Sequence, residues 1–313
     1  MQLRTYIVRR LLGVLPLLFA VSFFAFVLIQ LSPSDPAEVA IRVNAMRPTP
    51  ELIAETRAEL GLDKPFLSRY VTWLGRVLRG NFGRRYVDRK PVGQEMAKAL
   101  PPTLLLAATT AVLMLTVSIC AALVGAVFEG RIPDILLRGC IFLGTSMPAF
   151  WAGLLLIWLF AVKLDLFPTS GLSGPASLVL PALTLSLPYI SAYARLLRNS
   201  MVQTKQCNFV LYARACGRKR SAILRHIFRN SLQSSLTALG MSLPKLVAGT
   251  FVVECIFAWP GLGRLCVTAI FNRNFPVIQT YVLLMAVLFV LCNLTIDICS
   301  ALVDPRLREG GLR

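Results

Sequence analysis

Six stretches of this chain run for twenty residues or more with at most one charge. A helix needs about 20 apolar residues to cross the hydrocarbon of a bilayer. Leu11–Leu31, Ala99–Phe128, Gly139–Val162, Leu166–Ala194 and Asn274–Ile296 carry no charge, and Asn230–Val253 carries only Lys245. Hydrocarbon offers backbone amides no water, so such runs close their hydrogen bonds within themselves as helices. They predict an all-α integral membrane protein with six transmembrane helices. In the fourth run, Pro168–Gly171 and Gly174–Pro175 read as loop, so that span starts near Ser177. The first run is too long for a cleaved signal peptide, and no small-x-small site follows it. Charged residues make up 15% of the chain, against about 25% in a soluble protein.

The charges orient the spans. Arg4, Arg9 and Arg10 precede the first span, and Arg131 and Arg138 lie between the second and third. Nine Lys/Arg and no acid lie from Arg195 to Arg229, and Arg306, Arg308 and Arg313 follow the last span. The positive-inside rule puts all of these in the cytoplasm, with both termini. Residues 32–98 hold twelve basic and eight acidic side chains. A segment that long crosses largely regardless of charge, and it reads as a small external subdomain. It contains a helix from Thr49 to Leu60, capped by Thr49 or a neighbour and stopped by Gly61. The domain reading is therefore residues 1–31 as cytoplasmic N-terminus and first span, 32–98 outside, 99–303 as the membrane core, and 304–313 as a cytoplasmic tail.

The net charge of +18 does not indicate nucleic acid, because no aromatic-basic reading surface accompanies it; membrane lipid is the expected neighbour. The eight Cys form no CxxC pair, so no metal site or redox motif is indicated. Without a Gly-rich phosphate loop, ATP hydrolysis is not expected in this chain.

The loop of residues 202–230 is the exception among short connections. Asn208–Gly217 can form about two helical turns, with Gly217 free to take the left-handed conformation that ends a helix. A second helix then begins near Ser221, a plausible N-cap. A helix–glycine–helix unit at the membrane face is a knob that another protein can grip. Its plainer reading is a basic helix pair resting on anionic lipid.

This segment resembles the EAA loop of ABC-importer permeases, which inserts into a groove on the ATPase subunit. Leu211-Tyr212-Ala213 stands at the Glu-Ala-Ala triplet, Gly217 at the glycine and Ile227 at the isoleucine. The peptide/nickel subclass reads Asp-Tyr-x-x-x-Ala-Arg-Ala-x-Gly, then His-x-x-Arg-Asn. This chain has Asn208-Phe209, Ala213-Arg214-Ala215, Gly217 and His226–Asn230, departing from the pattern at Asn208. Tyr6–Leu11, Glu59–Pro65, Asn81–Gly83, Ser146–Trp151, Glu254–Gly263, Phe275–Ile278 and Asp304–Arg308 extend the resemblance along nearly the whole chain. Pro168–Pro175, Val253–Pro260 and the tail from Arg306 look similar to nickel and opine-metallophore (staphylopine-type) permeases.

The resemblance implies the first permease of an importer in the bacterial inner membrane. It implies a second homologous permease, two ABC ATPases that bind ATP and Mg, and an extracytoplasmic solute-binding protein. Asn208, Phe209, Tyr212, Ala213, Arg214, Ala215, Gly217 and Ile227 are then the ATPase-coupling residues, and the cargo is nickel or another transition metal carried as a chelate.

Ionisable residues within spans are functional candidates by default. Lys245, Glu254 and Asp297, with Met147 and Met241, are candidates for a translocation path. Their plainer roles are structural: Lys245 can pair with Asp297, Glu254 can cap the Trp259–Gly263 turn, and methionines usually pack. Gly240, Ala248 and Gly249 suit close packing in the fifth span. Three rivals remain. A di- or oligopeptide permease shares every feature above. An ion-coupled secondary transporter predicts inverted repeats and broken helices. An intramembrane enzyme needs a Ser/His or paired-Asp constellation, whereas Asp297 stands alone.

Overall fold

The structure, a computed structural model, describes residues 3–31, 35–44, 46–240 and 242–303. Among the described residues there is no β-strand, only an isolated bridge between Arg84 and Pro91. The helices are α1 (Leu3–Gln30), α2 (Pro36–Val43), α3 (Pro50–Leu60), α4 (Phe66–Leu78) and α5 (Val92–Val127). Then come α6 (Ile132–Ser146), α7 (Ala149–Leu156), α8 (Val179–Lys205) and α9 (Asn208–Ala215). The last are α10 (Arg220–Gly240), α11 (Leu243–Ile256), α12 (Leu262–Phe271) and α13 (Phe275–Val303). A π-helical segment, Ile157–Lys163, continues α7, and a 3-10 turn, Pro175–Leu178, leads into α8. The chain forms two compact units: one runs up to Thr103 and includes Pro260–Leu291, and the other holds Leu104–Trp259 and the chain from Cys292.

In the first unit, α1 and α4 meet along an aromatic seam. The buried Tyr70 ring stands edge-on to Phe19, Phe23 and Phe26 at 5.9, 5.3 and 5.5 Å. Its hydroxyl shares a 2.8 Å hydrogen bond with Ser22, the polar partner that a buried tyrosine needs. The helix expected from Thr49 is α3. The Thr49 hydroxyl accepts the Leu52 amide, and Gly61 ends the helix at φ 69°. Val92, Met96, Leu262, Ala269 and Val277 join α5, α12 and α13 in one apolar cluster. The buried Thr103 hydroxyl accepts the Leu262 amide at 2.8 Å, so a free donor at the start of α12 finds a partner.

The second unit is organised around α8, against which α6, α7, α10 and α11 pack. Small residues allow the close approach. A Cβ on Gly153 would meet Thr184 at 3.0 Å, and one on Gly249 would meet Leu185 at 3.3 Å. Gly249 thus has the packing role expected of it, while Ala248 is exposed.

Among the described residues, three apolar helices are long enough to span a bilayer: α5, Pro175–Lys205 and Phe275–Ile296. The third expected span is not one helix. It breaks after Ser146, and its two halves diverge by 109°. Pro148 causes the break: it lacks an N–H and drives Met147 out of the helical region, to φ −89° and ψ 129°. The fifth is also divided, with α10 ending at Gly240 and α11 starting at Leu243. Phe24, Val112, Phe142 and Leu291 are exposed on their helices, as lipid-facing side chains are.

Candidate functional site

The helix–glycine–helix unit is present, and its two faces differ. Val210 on α9 is buried in a cluster with Ala122 and Ala126 of α5, Leu197 and Met201 of α8, and Ile223 and Ile227 of α10. Ala213 packs at the edge of that cluster. The opposite face holds Phe209, Leu211 and Tyr212 outward, the last 73% exposed. Asn208, Arg214 and Ala215 are exposed beside them. Of the eight residues predicted for coupling, Ile227 and Ala213 therefore hold the unit to its base, and the others face away from it or form its turn.

The turn itself is a helix-ending motif. The Gly217 amide donates to the Arg214 carbonyl at 3.0 Å and the Arg218 amide to the Ala213 carbonyl at 3.1 Å. This pairing requires a left-handed residue between them, and Gly217 supplies it at φ 68°. The following helix starts at Arg220, one residue before the expected cap Ser221. The Lys219 carbonyl opens it by accepting from Ala222 and Ile223.

Beneath the unit lies an ionic fastening that the sequence reading did not anticipate. Arg198 of α8 donates to both oxygens of Asp134 of α6 at 2.7 Å each, and the Gly130 amide donates to the same carboxylate at 3.0 Å. Asp134 is wholly buried, with Arg138 at 3.4 Å as a further cation. Lys205, at the end of α8, donates to the Ala126 carbonyl and to Glu129 at 2.9 Å. The ends of α5, α6 and α8 are thereby tied to one another, and α5 and α8 are among the helices on which α9 rests. The available signal was that Glu129 and Asp134 are the only acids between Glu95 and Asp165.

The candidate path residues are dispersed along the chain. Met147 is half-buried at the bend between α6 and α7, and Lys245 is exposed on α11. Glu254 is fully buried near the end of α11. Its carbonyl accepts the Trp259 amide at 2.9 Å in a helix-ending turn whose left-handed residue is Ala258, at φ 49°. Met241 lies outside the described residues. Asp297 belongs to α13, but its side chain, and so its expected pairing with Lys245, lies outside those described. Among the described residues no three His, Cys, Asp or Glu gather where they could hold a metal ion.

Comparison with known proteins gives a consistent picture. Residues 114–309 match the family "Binding-protein-dependent transport system inner membrane component", and residues 3–107 match its N-terminal membrane component. The chain is 40% identical to the metal-staphylopine import system permease protein CntB of Staphylococcus aureus over 307 residues, covering 98% of this chain and 99% of that one. It is 36% identical to the glutathione transport system permease protein GsiC of Escherichia coli, covering 97% and 98%. Among solved structures, the inward-facing MetNI methionine ABC transporter aligns at TM-score 0.57 and 18% identity. That alignment covers 67% of this chain and 96% of that one and supports the fold alone.

Proposed function

The chain belongs to the family of inner membrane components of binding-protein-dependent transport systems, and from that premise we propose that it is the first permease of an ATP-driven importer for a chelated transition metal, nickel included. The observation that carries the metal reading is the 40% identity to a metal-staphylopine permease over nearly the full length of both chains. The peptide-like reading rests on the glutathione permease at 36%.

In this reading the protein is no enzyme. ATP and Mg belong to two partner ATPases, a second homologous permease completes the membrane pathway, and an extracytoplasmic binding protein supplies cargo. The outward face of α9, with Phe209 and Tyr212, seats in an ATPase groove. Val210 and Ile227 anchor that face to α5, α8 and α10. Closing of the ATPase pair then moves those helices together, biasing two arrangements of the permease. Six spans with both termini in the cytoplasm place α9 on the ATPase side. Met147, Lys245, Glu254 and Asp297 are candidates along the path, and a chelate needs only weak contacts there.

The experiment is uptake of radioactive nickel in cells carrying the companion import genes, with and without this chain, with excess dipeptide as competitor. Loss of uptake without the chain, unaffected by dipeptide, supports metal. Unchanged nickel uptake overturns it and favours the peptide-like cargo.

A further inference from the structure

A cleft of about 480 Å³ opens in the first unit, and its lining includes no residue of α9 and none of the path candidates. Its charged lining is one-sided: Lys64, Arg69, Arg76, Arg84 and Arg89 line it, with Glu59 as the only carboxylate among the described residues. The neighbouring acids are already engaged. Asp35 and Asp63 pair with Arg57 at 2.9 and 3.7 Å, and Glu59 reaches Arg89 only at 3.9 Å. Among the described residues, Lys64, Arg69, Arg76 and Arg84 have no ion-pair partner.

Two of the cations are also held in place. Half-buried Arg69 lies over the Phe26 ring at 6.0 Å. Burial, and then the Arg57 charge, hold its guanidinium below the ordinary arginine value. The Arg84–Pro91 bridge and the 3.0 Å bond from the Arg85 amide to the Lys90 carbonyl close a tight turn, within which Arg89 sits at φ 57°. A non-glycine residue in that region is strained and persists only where its surroundings hold it. Trp73, Tyr86 and Phe275 supply flat apolar walls. Burial pushes the Tyr86 phenol up to about 12, against the pull of Arg69 and Arg89.

Like charges gathered over a half-buried aromatic floor repel one another. Guanidinium forks match carboxylates and phosphates two bonds at a time, and flat walls suit an apolar or planar body beside them. We propose that this cleft binds a molecule bearing two or more clustered carboxylates or phosphates, either a soluble polyanion or an anionic lipid headgroup. The inference is independent of the cargo reading, because it concerns charge complementarity in this unit alone.

The test uses the complete importer in nanodiscs of phosphatidylcholine, titrated with citrate by calorimetry. A second arm uses discs containing cardiolipin, whose headgroup carries two phosphates. Saturable citrate binding is expected, weakened about tenfold or more in Arg69→Gln with Arg76→Gln, since charge-assisted bidentate contacts are lost. Arg69 also covers Phe26, so Arg76→Gln with Arg84→Gln, both on the exposed rim, is measured alongside. Arg42→Gln is the control, because Arg42 is paired with Glu38 outside the cleft. Loss of citrate binding in cardiolipin discs identifies the headgroup as the source, and unchanged binding identifies the soluble anion. The site is overturned by absence of saturable citrate binding to the wild type in phosphatidylcholine discs, or by equal weakening in Arg42→Gln.

Discussion

A single φ angle decides how α9 ends. Gly217 stands at φ 68°, and a Cβ placed there would touch nothing within 4 Å. A Cβ at Gly217 therefore tests backbone conformation without a clash of its own. Left-handed backbone costs an L-residue about 1–2 kcal/mol, Asn tolerates it best, and a β-branched side chain is a genuine outlier there. Gly217→Val is expected to leave the complex assembled but to separate ATP hydrolysis from uptake, while Gly217→Asn retains most of both. Parallel measurement of ATPase rate and transport in the reconstituted importer checks this, and unchanged coupling in the valine variant refutes it. Gly217 was legible because glycine after a helical stretch has few other uses. Asp134 was not, although it fixes the base of the same unit. Charge counting registers a lone acid among basic loops but cannot name its partner, and Arg198 is 64 residues further along the chain.

At the scale of elements, the ends of α3 were legible, while α2 with its Asp35 cap and the breaks inside apolar runs were not. Thr49 and Gly61 gave the bounds of α3 because each satisfies an end group by its own chemistry. The third and fifth spans read as continuous because hydropathy averages over Pro148 and over the Gly240–Leu243 junction. α9 combines both cases: its existence was readable, but the division between its faces depends on what α5 and α8 place beneath it. That division makes a prediction. Tyr212→Ala, on the exposed face, is expected to change the stability of the chain by no more than about 0.5 kcal/mol while weakening ATPase recruitment. Val210→Asp buries an unpaired charge and is expected to cost several kcal/mol, visible as a lower unfolding temperature even without the ATPase. Equal stability loss in both variants would mean that α9 has no free face.

For the whole molecule, charge placement along the sequence implied an orientation, and the described structure supplies accessible points to test it. α3 has no buried residue, so single cysteines between Thr49 and Lys64 remain reachable by reagents. They are expected to react with an impermeant thiol reagent in intact cells, beyond the background of the unmodified chain. Labelling only after lysis would reverse the topology. How the two units were divided was not legible, because two of the three boundaries fall inside α5 and α13, where the sequence shows no change of composition. The bend at Pro148 has a further consequence. With no N–H at that residue, the Gly144 carbonyl lacks its helical donor, and an unmatched carbonyl in dry hydrocarbon costs several kcal/mol. Were this corner to lie at hydrocarbon depth, that carbonyl would need water or a side-chain donor, so the bend, rather than the apolar composition of α7, would limit how far a dry zone could extend there.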